Sequence, residues 1–310
     1  MTNSTLANSQ FEGTGSIAGE SGFKGALVRF IVRTGKTFSR LVESRIALVG
    51  LIICTIVVLT AIFAPWLATH DPIEGDFLNI KAPPSVEHWL GTDQLGRDIW
   101  SRLVWGARNA VVVALIVVPM QMLLGIAIGA ISGYYGAWID NLLMRLNDAM
   151  FSFPGLILFM AILAILGPGL WQCILALIIG GAPSLIRMTR GLVIAERERD
   201  YVKASKLIGE NGLWILYRQI IPNVSSPLIV MATVRLGYTL LVFAGLTFLG
   251  LGPPPPEPSW GLMLNEARNL METAPMVAVY PGMAIFFTVL GANLLGDGLR
   301  DVFDPRLSEK

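Results

Sequence analysis

Charge is scarce in this 310-residue chain: Asp, Glu, Lys and Arg make up 15% of it, against 54% hydrophobic residues. A soluble domain carries roughly a quarter charged residues, so composition argues against one, and the mean hydropathy of +0.62 agrees. Cysteine occurs twice, as Cys54 and Cys173, each alone in an apolar run. Both read as small packing residues rather than a disulfide or a metal pair. Histidine also occurs twice, as His70 and His88, and their spacing makes no metal site. No His or Asp faces a Ser or Cys nucleophile within an apolar run, so an enzymatic role is not expected. The chain lacks a G-x-x-x-x-G-K-[ST] loop and cannot cradle nucleotide phosphates by itself. It also lacks a basic cluster with interleaved aromatics, which speaks against nucleic acid, and a net charge of +1 favours no class of partner.

What is present comes in apolar blocks long enough to cross a bilayer. Six are expected, near Ala47–Leu67, Ala110–Ser132, Ala149–Leu166, Leu170–Ile186, Leu228–Leu251 and Ala274–Leu295. Each supplies close to the ~20 residues that a span needs. Gly167-Pro168-Gly169 makes a tight turn between the third and fourth, and Pro119 and Pro154 can kink their helices. Gly125 and Gly129, and Gly180 and Pro183, allow close helix contacts. The fold class is therefore all-α, a polytopic membrane protein with six transmembrane helices.

Residues 1–22 are Ser-, Gly- and Thr-rich and read as a disordered tail, not a signal peptide. Over 23–45, Arg29, Arg33, Lys36 and Arg40 form one helical stripe opposite Phe23, Leu27, Phe30, Ile31, Phe38 and Leu41. Such a helix fits the inner membrane face, where cations meet anionic lipid headgroups; a partner-binding helix is the competing view. The remaining divisions are 46–109, the first span and its outer loop; 110–300, a transmembrane core; and 301–310, a tail. Lys and Arg concentrate in the N-terminal region, in the loop between spans four and five, and at the C-terminus. The other side holds only Lys81, Arg97, Arg102, Arg108 and Arg268. By the positive-inside rule both termini and the 196–223 loop face the cytosol across an inner membrane.

Two polar stretches interrupt the apolar blocks. In Glu196–Asn223, Tyr201, Ala204, Ser205 and Ile208 share one helical face with its small pair in the middle. Gly209 ends that helix, and Asn211 caps a second with the apolar stripe Leu213, Leu216, Tyr217 and Ile220. Pro222 marks the return to the membrane. The pattern is a helix–Gly–helix hairpin offering a shallow face to a cytosolic partner. In the outer loop, Gly91 and Gly96 punctuate a turn, and Asp93, Arg97, Asp98 and Arg102 can build a local ion-pair and hydrogen-bond net beside Thr92. Trp89, Trp100 and Trp105 suit the membrane interface. Four consecutive prolines, Pro253–Pro256, predict a stiff extended segment. Arg235 is the one ionisable residue placed deep in a span. It should face the bundle, either bonded to backbone carbonyls or lining a translocation path. So few intramembrane ionisable groups disfavour an ion-coupled secondary transporter.

These stretches also carry a resemblance. Gly91–Arg108 resembles the G-T-D-x-L-G-R-D-x-x-S-R-x-x-x-G-x-R signature of dipeptide, oligopeptide and nickel ABC-importer permeases, with every motif letter present. Phe248–Trp260 is similar to the F-L-G-L-G-x-x-P-P-x-P-x-W-G stretch of that family. The hairpin resembles its E-A-A-x3-G-x9-I-x-L-P loop. Ala204, Gly209 and Pro222 keep type and spacing, whereas Lys203, Ser205, Gln219 and Ile221 depart. The resemblance covers Ile46–Leu307 and implies a type I importer permease whose span one braces the flank. It implies that Tyr201, Lys203, Ala204, Ser205, Ile208, Gly209 and Pro222 couple to an ATPase subunit. It further implies a second homologous permease, two ATPase subunits that bind ATP and Mg, and an extracytoplasmic solute-binding protein. The implied cargo is di- or oligopeptides, with nickel chelates, glutathione or another small solute as alternatives.

Overall fold

A computed structural model describes residues 44–303. The tail expected at 1–22, the basic helix expected at 23–45 except its end, and the tail from 304 lie outside the described residues. Within them every regular element is helical: α1 Arg45–Ile62, α2 Ala64–Leu67, α3 Ile99–Tyr135, α4 Ala137–Phe151, α5 Gly155–Leu166, α6 Leu170–Arg197 and α7 Asp200–Leu207. Then follow α8 Gly212–Phe248, α9 Trp260–Ala267 and α10 Met276–Phe303. Five of these (α1, α3, α6, α8 and α10) are long and apolar enough to cross a membrane, and α4 with α5 makes a bent sixth.

The spans differ from the expected blocks where polar residues continue a helix beyond lipid. Helix α3 has 37 residues, about 55 Å at 1.5 Å per residue, so it outreaches a ~30 Å hydrocarbon core. Its first turns hold Arg102 and Arg108, which hydropathy alone assigns to a loop. Asp98 caps it, its side chain accepting the Ser101 N–H. The third span is not one helix from Ala149. The chain bends by 93° between α4 and α5, with Pro154 at the N-cap of α5. Helix α4 is amphipathic and paired to α6 through Arg190–Asp140 and Arg187–Asp148. Helix α5 has 12 residues, only about 18 Å. At Pro222 the chain does not restart but continues. A π-helical turn at Leu216–Ile220, in which the Ile221 N–H bonds the Leu216 carbonyl, widens the helix just before the ring. Proline has no N–H and crowds the carbonyl four residues back, and the wider turn relieves both demands. The proline run is not extended: the Glu257 N–H reaches the Pro254 carbonyl at 3.2 Å, closing a turn.

The core is a seam between α3 and α6. A Cβ on Gly125 would lie 2.7 Å from Leu185 Cβ, and one on Gly129 only 2.4 Å from the Ile186 carbonyl oxygen. A Cβ on Gly133 would stand 2.8 Å from the Arg190 carbonyl oxygen. Small residues repeating every four positions let two backbones meet, which is how helices gain dispersion contacts that lipid cannot offer. Behind the seam, Val113, Val117, Phe159, Leu163, Leu177, Phe243 and Leu246 fill a core shared by α3, α5, α6 and α8. Helix α1 lies outside it. Only Ala47, Gly50 and Ala61 are buried there, and Gly50 sits against the α10 backbone at Leu295. Ile46, Val49, Ile52, Ile56 and Leu59 remain exposed, as suits a lipid-facing helix.

The seam predicts opposite effects of one substitution at two helical glycines. Gly129→Ala should destabilise by about 1–3 kcal/mol through overpacking against backbone. Gly191→Ala, with nothing within 4 Å of the added Cβ, should be neutral or stabilise by up to ~1 kcal/mol through helix propensity. Thermal unfolding of both variants in detergent checks the contrast.

Candidate functional site

Two candidate regions lie at opposite ends of α3. At its N-terminal end the loop and the helix start share buried charges. Arg97 Nε donates to Asp93 Oδ2 at 2.7 Å, and the Asp93 Oδ1 accepts the backbone N–H groups of Leu95 and Arg97. Arg97 and Arg102 both reach Glu266 Oε2 on α9, at 2.8 and 2.7 Å. Arg97 and Arg102 are each no more than 2% exposed. Charges this far from water hold only when paired, and here two cations meet two carboxylates. Gly96 closes the turn at φ +74°, where a Cβ would also lie 1.9 Å from the Asp76 carbonyl oxygen. Thr92 bonds Asn79 and Ala82, tying the loop to itself.

The Gly91–Arg108 and Phe248–Trp260 signatures interlock. The Trp260 ring lies on Gly106, where a Cβ would stand 2.6 Å from the indole, and its Nε1 donates to the Leu103 carbonyl at 2.8 Å. Asn109 donates to the Pro258 carbonyl at 2.9 Å. Asp98 takes no part in the arginine net, contrary to the sequence reading. Its Oδ2 accepts from the Ser101 N–H and hydroxyl, while its Oδ1 faces His88 Nδ1 at 3.0 Å. The reason is that both oxygens are already engaged, Oδ2 in capping α3 and Oδ1 by His88.

At the C-terminal end of α3 the hairpin forms as its sequence suggests. The N–H of Gly209 bonds the Lys206 carbonyl and that of Glu210 the Ser205 carbonyl, closing α7 with Gly209 at φ +82°. Asn211 accepts from the Leu213 N–H and caps α8. The apolar stripe is shifted, however. Ile215, Leu216 and Ile220 are buried with Val202, Val193 and Tyr134, whereas Leu213 and Tyr217 are exposed. The π-helical turn adds one residue to the period, and this rotates the stripe by part of a turn. Gln219 locks the hairpin: its Nε2 donates to Ser205 Oγ at 2.8 Å and to Glu210 Oε2 at 2.9 Å. Tyr201 donates to Glu196 Oε1 at 2.8 Å and accepts from Asn223; burial pushes its phenol above the usual tyrosine range. Lys203 pairs with Glu198 at 3.6 Å. Ser205 thus turns inward, and the outward face consists of Tyr201, Ala204, Leu207 and Ile208, the last two 88% and 77% exposed.

Between these ends, Arg235 on α8 faces the bundle. Its guanidinium donates to the Gly181 carbonyl at 2.8 Å, to Gln121 Oε1 at 3.2 Å and to Ser184 Oγ, joining α8 to α6 and α3.

Residues 125–309 match the family described as "Binding-protein-dependent transport system inner membrane component". Residues 34–84 match the N-terminal transmembrane domain of oligopeptide transport permease C. The chain belongs to this family of transport permeases. It is 43% identical over 272 residues to a dipeptide transport system permease protein of Alkalihalophilus pseudofirmus, covering 88% of this chain and 90% of that one. It is 39% identical over 269 residues to a glutathione transport system permease protein of Pectobacterium atrosepticum, covering 86% and 89%. The fold is similar to that of a chain of the MetNI methionine ABC transporter in inward-facing form. The TM-score there is 0.55 and the identity 19%, over 65% of this chain and 96% of that one.

For this permease, three elements escaped the sequence reading. Glu266 lies far along the chain from the arginines that it neutralises. The sequence carried no signal for it, since Asp93 and Asp98 already balance the two arginines there. Ser205 belongs by periodicity to the outward face and Gln219 departs from the motif, yet the two bond each other. His70 and His88, distant in sequence, meet at one carboxylate.

The buried net makes a prediction. Glu266→Gln leaves Arg97 and Arg102 with one carboxylate between them and should cost about 3–5 kcal/mol. Glu198→Gln, at an exposed pair, should cost at most about 1 kcal/mol. Unfolding temperature and yield of the detergent-purified permease measure both.

Proposed function

We propose that this permease forms half of the translocation path of an ATP-driven importer for di- or oligopeptides, working with a second related permease. Two ATPase subunits would carry the ATP and Mg, and an extracytoplasmic binding protein would deliver the cargo. The observation that carries this reading is the hairpin: an exposed apolar tip, Leu207 and Ile208, on a frame locked by Gln219 and backed by a buried cluster. A rigid frame transmits displacement, and an exposed apolar tip needs a partner surface to cover it. Glutathione, named for relatives of nearly equal similarity, is the second cargo this reading admits.

The hairpin and both termini would face the cytosol, as the distribution of Lys and Arg favours. A cysteine at Ala204 should resist a membrane-impermeant thiol reagent applied outside intact cells, whereas one at Ser85 should react. Labelling at Ala204 would reverse the orientation.

Coupling is tested in the assembled transporter. Ala204→Trp fills the outward face, and Gly209→Val places a β-branched residue at φ +82°, a strain of about 1–3 kcal/mol. Both variants should insert normally yet lose transport, with ATP hydrolysis absent or no longer stimulated by loaded binding protein. Wild-type co-purification of ATPases together with wild-type stimulation would reduce the hairpin to a connector.

A further inference from the structure

The two histidines of this chain, His70 and His88, come from opposite ends of the loop between α2 and α3 and converge on Asp98. His88 Nδ1 lies 3.0 Å and His70 Nδ1 4.0 Å from the same atom, Asp98 Oδ1. The imidazole rings sit with centroids 4.5 Å apart. One donor atom from each of the three residues lies within 4.8 Å of the others. Asp98 and His88 are buried, and His70 is half-buried.

We propose that His70, His88 and Asp98 form a binding site for a divalent transition metal of the zinc class. Hydrogen bonding pairs the two rings separately, His88 Nδ1 with Asp98 Oδ1 and His70 Nδ1 with Thr69 Oγ1, and gives the stacked imidazoles no shared partner. A proton on His88 can bridge to Asp98 Oδ1, but His70 Nδ1 at 4.0 Å is beyond hydrogen-bond reach of that oxygen. Protonating both rings would stack two cations. A single divalent cation accommodates both imidazole nitrogens and the carboxylate together. Tetrahedral bonds of 2.0–2.1 Å place ligand atoms roughly 3.3 Å apart, and the two distances to Asp98 Oδ1 bracket that value. Two imidazoles and one carboxylate suit zinc, nickel or copper over calcium or magnesium.

The supporting groups also fit. Asp98 Oδ2 is held by the Ser101 N–H at 2.8 Å and its hydroxyl at 2.7 Å, leaving Oδ1 aimed at the histidines. Thr69 Oγ1 donates to Asp98 Oδ2 at 3.3 Å and lies 3.0 Å from His70 Nδ1, a contact that the metal would replace at that nitrogen. Metal ligands depend on such outer partners for orientation. The site opens into a cavity of about 320 Å³ whose lining adds Asp71, Glu74 and Asp76. Hydrogen bonds from the Leu78 N–H, then from Asn79, hold the Asp76 carboxyl below the usual carboxylate range. The cavity draws cations in and leaves the fourth coordination position open to water. Bound metal would clasp residues 69–70, at the end of the first span, to residue 88 and to the start of α3.

The experiment uses the full-length permease purified in detergent on a histidine-free tag, stripped with EDTA, and titrated with Zn²⁺ and with Co²⁺. Because the chain has only these two histidines, no other imidazole competes. Wild type should bind one equivalent of Zn²⁺, gain the visible absorption of a low-symmetry cobalt site, and unfold at higher temperature as Zn²⁺ rises. His70→Ala removes a half-exposed ligand without disturbing the α3 cap and is the decisive variant. It should weaken binding at least about 100-fold, the upper end of what loss of a supporting partner costs, and abolish both the cobalt band and the thermal shift. His88→Asn should do the same. Wild type that binds no Zn²⁺ at micromolar concentration, or that matches His70→Ala in affinity, cobalt spectrum and thermal shift, overturns the site.

Discussion

The α3–α6 seam is the contact on which the rest of the molecule depends. In lipid, apolar side chains gain nothing by leaving one hydrocarbon for another, so two helices associate only if their backbones come close. Gly125, Gly129 and Gly133 permit that approach, and the backbone of α6 at Ile186 and Arg190 occupies the space a Cβ would need. Close packing of this kind fixes the C-terminal part of α3 on α6, and the cluster of Ile99, Ala107 and Ala110 with Trp260 and Met263 fixes its start. One continuous helix thus carries the Gly91–Arg108 signature at one end and the hairpin at the other.

Each end of α3 is held differently. At the N-terminal end, burial turns charge into a positional constraint: Arg97 and Arg102 must meet Asp93 and Glu266 together, so the loop, α3 and α9 dock as a unit. Trp260 on Gly106 adds an apolar key to the same joint. At the other end the constraint is hydrogen bonding. Gln219 ties α7 to α8, and Arg197 donates to the carbonyls of Gly133 and Tyr134 where α3 ends. Leu207 and Ile208 are thus connected to α3 and α8 through bonded or buried groups. The π-helical turn before Pro222 keeps that route unbroken, because α8 runs from the hairpin through the span without a hinge loop.

Much of this was legible in the residues alone. Apolar runs located the spans, since a bilayer demands ~20 residues whatever the neighbours are. Gly209 and Asn211 announced the hairpin, because caps and positive φ are local demands that a few residues settle. Seeing α3 begin at Ile99 was harder, as its first turns carry the exposed Arg108 and a buried Arg102 whose charge only Glu266 of α9 makes tolerable. The 93° bend at Pro154 was half visible: the proline marked a break, but its angle depends on Arg187 and Arg190 drawing α4 onto α6.

The sequence by itself determined the helices, their caps and the membrane solvent they require, because those follow from neighbours within about one turn. Only the tertiary structure decided which polar groups meet. Glu266 joins Arg97, Ser205 joins Gln219, and His70 joins His88 at Asp98 across separations that no periodicity encodes. Such pairings depend on how rigid helices cross, and the crossing is set by packing of surfaces contributed from several parts of the chain at once. Asp98 shows both levels in one residue. Its role as a helix cap was written locally, but the imidazoles facing its second oxygen arrive only when the loop folds back over α3.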